Sequence, residues 1–182
     1  MPKIYQIIPE LSEIRWTGSW LMGGSHSGTV VIRSGQVLED NNELSGGQVV
    51  VDMTTILNTD IRDEGRRKRL ENHLHSRDFF DTREYPLGEL FIFTVEKLAE
   101  LHRYKFIGDL RIKDVTHPVE FEGYALKAKR SDEYHAKATL VLDRTKWDVR
   151  YGSLKFYLNL GDRVVKDEFE LTVDIVARAG DD

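Results

Sequence analysis

The chain contains no cysteine, which removes disulfide staples, thiolate metal sites and cysteine nucleophiles together. Proline is scarce at 4 residues, and the 14 glycines follow no repeat, so collagen-like and low-complexity classes are excluded. No apolar run approaches the roughly 18 residues that a membrane-spanning helix requires. The N-terminal MPKIYQIIPE also lacks the apolar core of a secretory signal. The expectation is therefore a cytoplasmic protein without stable membrane insertion, or a periplasmic one if Met1 belongs to a processed form. A surplus of positive charge is missing too. The formal net charge is −5, so no global field draws nucleic acid, and any anion site must be local.

What is present is the composition of a globular protein, 40% hydrophobic and 31% charged over 182 residues. That length suits a single domain spanning residues 1–182 with a sizeable core. The oligomeric state is not legible, and a homodimer is left open.

Strict alternation dominates, with the apolar residues of each run on one parity. Ile14, Trp16 and Trp20 alternate with Glu13, Arg15, Thr17 and Ser19, and Gly18 keeps the apolar step. Val30 and Ile32 follow after a glycine-bearing loop at Leu21–Ser25, which makes an antiparallel hairpin. Beyond a polar turn at Asp40-Asn41-Asn42 come Val49, Val51 and Met53, then Phe91, Phe93 and Val95. The second half repeats the idiom with Tyr104, Phe106, Leu110 and Ile112, then Val119, Phe121 and Ala125, then Ala136, Ala138, Leu140 and Leu142. Leu154, Phe156, Leu158 and Leu160 form the next set, and Phe169, Leu171, Val173, Ile175 and Ala177 the last. About nine such runs, spaced by turns, predict an all-β sandwich or barrel. Alternation fails only between Ile56 and Asp81, where a helix of about three turns is expected at about 60–74. Asn58-Thr59-Asp60 would cap it, and Leu70 and Leu74 would dock it.

Several constellations invite a chemical reading. Gly24-Ser25-His26-Ser27-Gly28 has His26 where a nucleophile elbow needs serine, so it reads as a hairpin loop. His73 and His75 have metal-ligand chemistry, but two residues apart on a helix they diverge, and no H-E-x-x-H pattern accompanies them. Neither a metal nor a cofactor is expected. The run Arg66-Arg67-Lys68-Arg69 lies in a stretch, Asp60 to Glu71, with five cations and four anions, which suits a solvated helix face. Arginine forks also hold phosphate oxygens, so Arg66 and Arg69 are the candidate contacts for an anionic head group.

An eight-stranded barrel is either just filled by side chains or holds one small ligand. Small residues at Gly18, Gly28, Gly108, Ala125, Ala136 and Ala138 share the parity of the large rings and leave volume between them. The cavity reading takes Ile14, Trp16, Val30, Ile32, Val49, Val51, Phe91, Phe93, Phe106, Leu110, Leu140 and Phe156 as lining, with Phe79 and Phe80 closing one end.

The segment His73-Leu74-His75-Ser76-Arg77-Asp78-Phe79-Phe80-Asp81, with Tyr85-Pro86 beyond, resembles the H-L-x-S-x-D-F-F-D element of the YceI-like family of polyisoprenoid-binding, lipocalin-like proteins. Ser12 to Trp16 followed by Gly18, the run Val49 to Ile56, the hairpin Gly108 to Val119 and the corner Asp143-Arg144-Thr145-Lys146-Trp147 are similar to its other motifs, in order across nearly the whole chain. Leu11 and Ser19 stand where many members carry histidine, and Asp114 where they carry glycine. The resemblance implies an antiparallel lipocalin-like β-barrel of about eight strands with one crossover helix. It also implies binding of a long-chain isoprenoid or similar amphiphilic lipid in an apolar cavity, as a carrier or sequestering protein without catalysis. The alternative is an enzyme acting on the bound lipid, with His73, His75, His117 and Asp78 as acid–base groups. A third reading is a solid-core interaction protein with no ligand.

Overall fold

The computed structural model describes residues 1–180 except 129 and 131. Among them, the strands are β1 (Lys3–Ile7), β2 (Glu13–Trp20), β3 (Ser25–Asp40), β4 (Glu43–Asn58), β5 (Leu87–Lys97), β6 (Arg103–Ile112), β7 (Val115–Ala128), β8 (Glu133–Asp143) and β9 (Val165–Ala179). Helix α1 (Glu64–His75) lies between β4 and β5. From β2 to β9 each strand pairs antiparallel with the next, and β9 returns to β2. The sheet therefore closes into an eight-stranded barrel with one extra strand, and closure removes the exposed edges of an open sheet.

The extra strand shares a lane with β2. Both pair with β3 on one side and β9 on the other, so β1 and β2 run in the same direction as one broken strand. The break is a 3-10 turn at Pro9–Leu11. Proline lacks the N–H that the ladder needs there. Ser12 patches the gap: its hydroxyl donates to the Ile8 carbonyl at 2.8 Å and accepts from the Val176 N–H at 3.0 Å. β1 shows no period in the sequence, because five residues beside a proline are too short a run.

β3 and β4 are 16 residues each, longer than their alternating cores, and β-bulges keep them in register. Asn41 and Asn42 both have positive φ, 51° and 63°, the backbone of a tight type I′ hairpin.

α1 begins later than the sequence suggests. Asp63 is its cap, accepting from the Arg66 N–H at 2.8 Å. Asn58 is instead buried at the end of β4, where its N–H donates to the Glu71 carboxylate at 2.9 Å. Leu74 is buried and Leu70 packs beside it on the core, as the i, i+4 pair predicts. The helix thus lies over the barrel end that also holds the β2–β3, β6–β7 and β8–β9 connections.

Two expectations need correction. Leu154, Phe156, Leu158 and Leu160 form no strand: residues 150–164 are a turn-rich connection between β8 and β9, with Phe156 45% exposed. Here alternation is present, but no neighbouring strand offers hydrogen bonds. In β5, Phe91 and Phe93 point out of the barrel, 51% and 52% exposed, and Gly88, Leu90 and Ile92 point in. Leu90-Phe91-Ile92-Phe93 is apolar on both parities, so the pattern cannot choose a face, whereas the pairing register does.

Candidate functional site

The barrel interior is packed at one end and hollow in the middle. At the end away from α1, Tyr5, Ile7, Ile14, Ile32, Tyr134, Ile175 and Ala177 form a dense cluster. Between that cluster and α1 lies a cavity of about 180 Å³, and a second lobe of about 90 Å³ adjoins it. Val49, Leu90, Leu140 and Val173 line both lobes, so the two are divided only by shared side chains.

Of the residues named from sequence, Ile14, Trp16, Val30, Val49, Val51, Phe79, Phe80, Leu110 and Leu140 line the larger lobe. Phe106 lines the smaller one, stacked on Phe121 at 5.3 Å between ring centres. Ile32 is 3% exposed and belongs to the packed end. Phe91, Phe93 and Phe156 lie outside the cavity, for the reasons already given. Sequence reasoning left out Met53, Ile56, Leu74, Leu90, Phe169, Leu171 and Val173, which also form the wall. Parity had placed Phe169, Leu171 and Val173 inward, and that signal was sufficient to find them.

Trp16 is anchored rather than free, its indole N–H donating to the Leu57 carbonyl at 3.2 Å. Gly28 makes room for it: a Cβ there would meet the Leu57 oxygen at 1.7 Å and the Trp16 ring at 2.6 Å. A Cβ on Gly108 would likewise meet the Phe91 carbonyl at 2.1 Å. These two glycines admit neighbouring groups and create no free volume. Gly18 does leave volume, since it lines the cavity and a Cβ on it would meet nothing within 4 Å.

The turns after α1 set the cavity floor. The Ser76 N–H caps the His73 carbonyl at 3.1 Å, and the Phe80 N–H reaches back to Leu74 at 3.1 Å. That fold-back carries Phe79, 8% exposed, and the half-buried Phe80 into the wall. His75 fixes the helix to the barrel, its Nε2–H donating to the Ile56 carbonyl at 3.0 Å while Nδ1 accepts from Thr82 at 2.8 Å. Both ring nitrogens are therefore committed.

The remaining acid–base candidates do not converge. His73 pairs with Asp78 at 2.8 Å and stands edge-on to Phe79 and Tyr151. His117 lies elsewhere, edge-on to Trp147 at 5.7 Å. Among the described residues, no histidine lines either lobe. No cluster of metal-ligating side chains occurs among the described residues.

One arginine does reach the wall. Arg144 is 4% exposed and spends its guanidinium on backbone carbonyls of Lys166 at 3.0 Å, Val149 at 2.8 Å and Val165 at 3.1 Å. Burial lowers its pKa against the opposing pull of Asp167 and Asp143. It staples the β8–β9 connection to the barrel. Arg66 and Arg69 are exposed on α1 and line neither lobe. The lining includes Lys166 and Glu168 at the start of β9, both exposed. A more voluminous concavity, about 440 Å³, lies on the outer face over Gly123 and Ala138, rimmed by ion-paired side chains such as Arg103 and Glu122. It is an open groove between charged side chains, without the enclosed apolar wall of the interior site.

A closed antiparallel barrel with an almost wholly apolar interior defines a lipocalin-like architecture. The chain belongs to the YceI-like domain family, whose model matches residues 5–177. Its fold is similar to that of BcnA from Burkholderia cenocepacia, with a TM-score of 0.73 and 19% identity over 94% of this chain and 99% of that one. It is also similar to a polyisoprenoid-binding domain from Saccharophagus degradans implicated in plant cell wall breakdown, with a TM-score of 0.71 and 10% identity over 97% of this chain and 98% of that one. The YceI protein of Campylobacter jejuni gives a TM-score of 0.60 and 16% identity over 82% of this chain and 84% of that one. Among curated proteins, none matches the chain in sequence.

Proposed function

We propose that this protein carries or sequesters a long-chain isoprenoid or similar amphiphilic lipid, with the apolar chain in the barrel and no chemistry done on it. The observation that carries the reading is the cavity between the packed end and α1, walled by apolar side chains from every barrel strand but β7 and by Phe79 and Phe80. Membership of the YceI-like family and the fold shared with a polyisoprenoid-binding domain support the same ligand class. Each buried CH₂ contributes about 0.8 kcal/mol, so several isoprene units bind firmly without directional contacts. The free volume of about 180 Å³ is below the roughly 300–1,000 Å³ of small-molecule sites. A long chain therefore seats one part inside and leads the remainder out past Lys166 and Glu168, where a polar head stays hydrated.

The head group, if anionic, would meet the basic face of α1 at Arg66 and Arg69. The spread of His73, His75 and His117 to separate partners supports binding over lipid-modifying catalysis. Native mass spectrometry of freshly purified protein, followed by organic extraction, tests the reading. A co-purifying lipid, unaltered after incubation, is the expected result. An empty protein that takes up neither farnesol nor a prenyl phosphate would overturn it.

A further inference from the structure

The ladder between β2 and β9 is broken at one point. Gly18 pairs with Phe169 and Trp20 with Val165, so Ser19 alone faces three residues, Lys166, Asp167 and Glu168. An ordinary bulge sets two residues against one, and three in the lane of one must arch away from the neighbouring strand. The arch is held from its other side. Arg144 donates to the carbonyls of Lys166 at 3.0 Å and Val165 at 3.1 Å, Asp167 turns to Lys155 at 3.5 Å, and Glu168 pairs with Asp143 of β8. Ser19 keeps its place beside Ser25 of β3, so a gap in the ladder lies between it and the arch.

The cavity reaches this gap from inside, its wall taking Thr17 and Gly18 from β2 and Val165, Lys166, Glu168 and Phe169 from β9. Successive residues of a strand face opposite sides of the sheet, so a lining that holds Thr17 beside Gly18 and Glu168 beside Phe169 passes through the wall. Gly88, Glu89 and Leu90 also line it in succession, but there the ladder from β5 to β4 is continuous. Gly18 widens the gap, since a Cβ on it would meet nothing within 4 Å. The barrel ends are filled: Tyr5, Tyr134 and Ala177 pack one, and Leu74 and Phe79 close the other.

We propose that the lipid enters and leaves the barrel sideways, through the β2–β9 seam between Ser19 and the arch of Lys166 to Glu168. A flexible isoprenoid needs a slot only one chain wide, and a polar head that stays outside beside Lys166 and Glu168 never crosses the apolar interior. Ser19 borders the gap and lines neither lobe, so it controls passage without touching the seated chain. The inference rests on the lipid-carrier reading and adds the route.

The chain has no cysteine, so Ser19→Cys introduces one thiol, to which a bulky polyethylene glycol group is joined through a disulfide. Stopped-flow tryptophan fluorescence follows farnesol uptake, and dilution into phospholipid vesicles follows its release. The adduct should slow uptake and release alike, at least about tenfold, and leave the equilibrium affinity within about twofold, because a passage limits rates and not the bound state. Dithiothreitol should restore both rates. The same adduct at Thr139→Cys, exposed on β8, should change neither. Wild-type rates for the Ser19→Cys adduct, equal slowing at both sites, or a change of affinity through one rate alone would each overturn the passage. A wild type that binds no farnesol would overturn the carrier reading, and the passage with it.

Discussion

Lys127 donates from one ammonium to both carboxylate oxygens of Glu39, at 2.8 and 2.9 Å, although Glu39 is only 3% exposed. Glu39 stands at the end of β3 and Lys127 at the end of β7, so this pair ties two non-adjacent strands together across the barrel end opposite α1. The hydroxyls of Tyr134 and Tyr5 also donate to Glu39. These groups cap the packed end of the barrel.

The pair gives the fold an acid-sensitive plug. Burial would raise the Glu39 carboxyl, but hydrogen bonds from Lys127, Tyr134 and Tyr5 and the Lys127 charge together hold it below its ordinary value of 4.5. A carboxyl whose folded pKa is depressed contributes stability that is present above the unfolded value and lost as pH falls through the folded one. Denaturant titrations should therefore show wild type losing stability below about pH 4.5. Glu39→Gln should be less stable at neutral pH by about 1–3 kcal/mol and show a flatter acid limb.

Gly18 gives a way to empty the site without harming the fold. Its φ is not positive and a Cβ would meet nothing within 4 Å, so Gly18→Leu fills the cavity wall without strain. Stability should hold or rise by up to about 1 kcal/mol, because the unfolded chain loses freedom. Lipid recovered by organic extraction should fall. Unchanged recovery would move the ligand out of this cavity.

Arg144→Ala should destabilise the protein by at least about 2 kcal/mol, since three carbonyls lose their donor. Hydrogen exchange is expected to rise first in residues 148–166, the connection that Arg144 holds. Uniform acceleration across the barrel would argue against a local staple.

Reversal of Arg66 and Arg69 to Glu should weaken binding of a prenyl phosphate in a salt-sensitive way and leave a neutral prenyl alcohol unaffected. Equal loss for both ligands would indicate a folding defect. No loss for either would return the run to a solvated helix face, in keeping with the Lys68–Glu64 ion pair at 2.7 Å on the same helix.

The sequence by itself determined an all-β fold, sandwich or barrel, because a period of two with one apolar parity can be satisfied only by strands that bury one face. It placed Trp16, Val51, Leu110 and Leu140 inward for that reason, and the loss of period located α1 between β4 and β5. It could not orient β5, where Leu90-Phe91-Ile92-Phe93 satisfies either face, nor exclude a strand at Leu154–Leu160, where the pattern exists without a partner. Both were decided by pairing: a strand needs hydrogen bonds from neighbours remote in sequence, and closing the barrel through β9 and β2 left no lane for residues 154–160. The glycines divide in the same way. Composition shows small residues at Gly18, Gly28 and Gly108, but only the tertiary structure distinguishes the one that faces empty space from the two whose space is taken by Trp16 and by the backbone of Phe91. A missing side chain becomes a cavity only where no other group arrives to fill it.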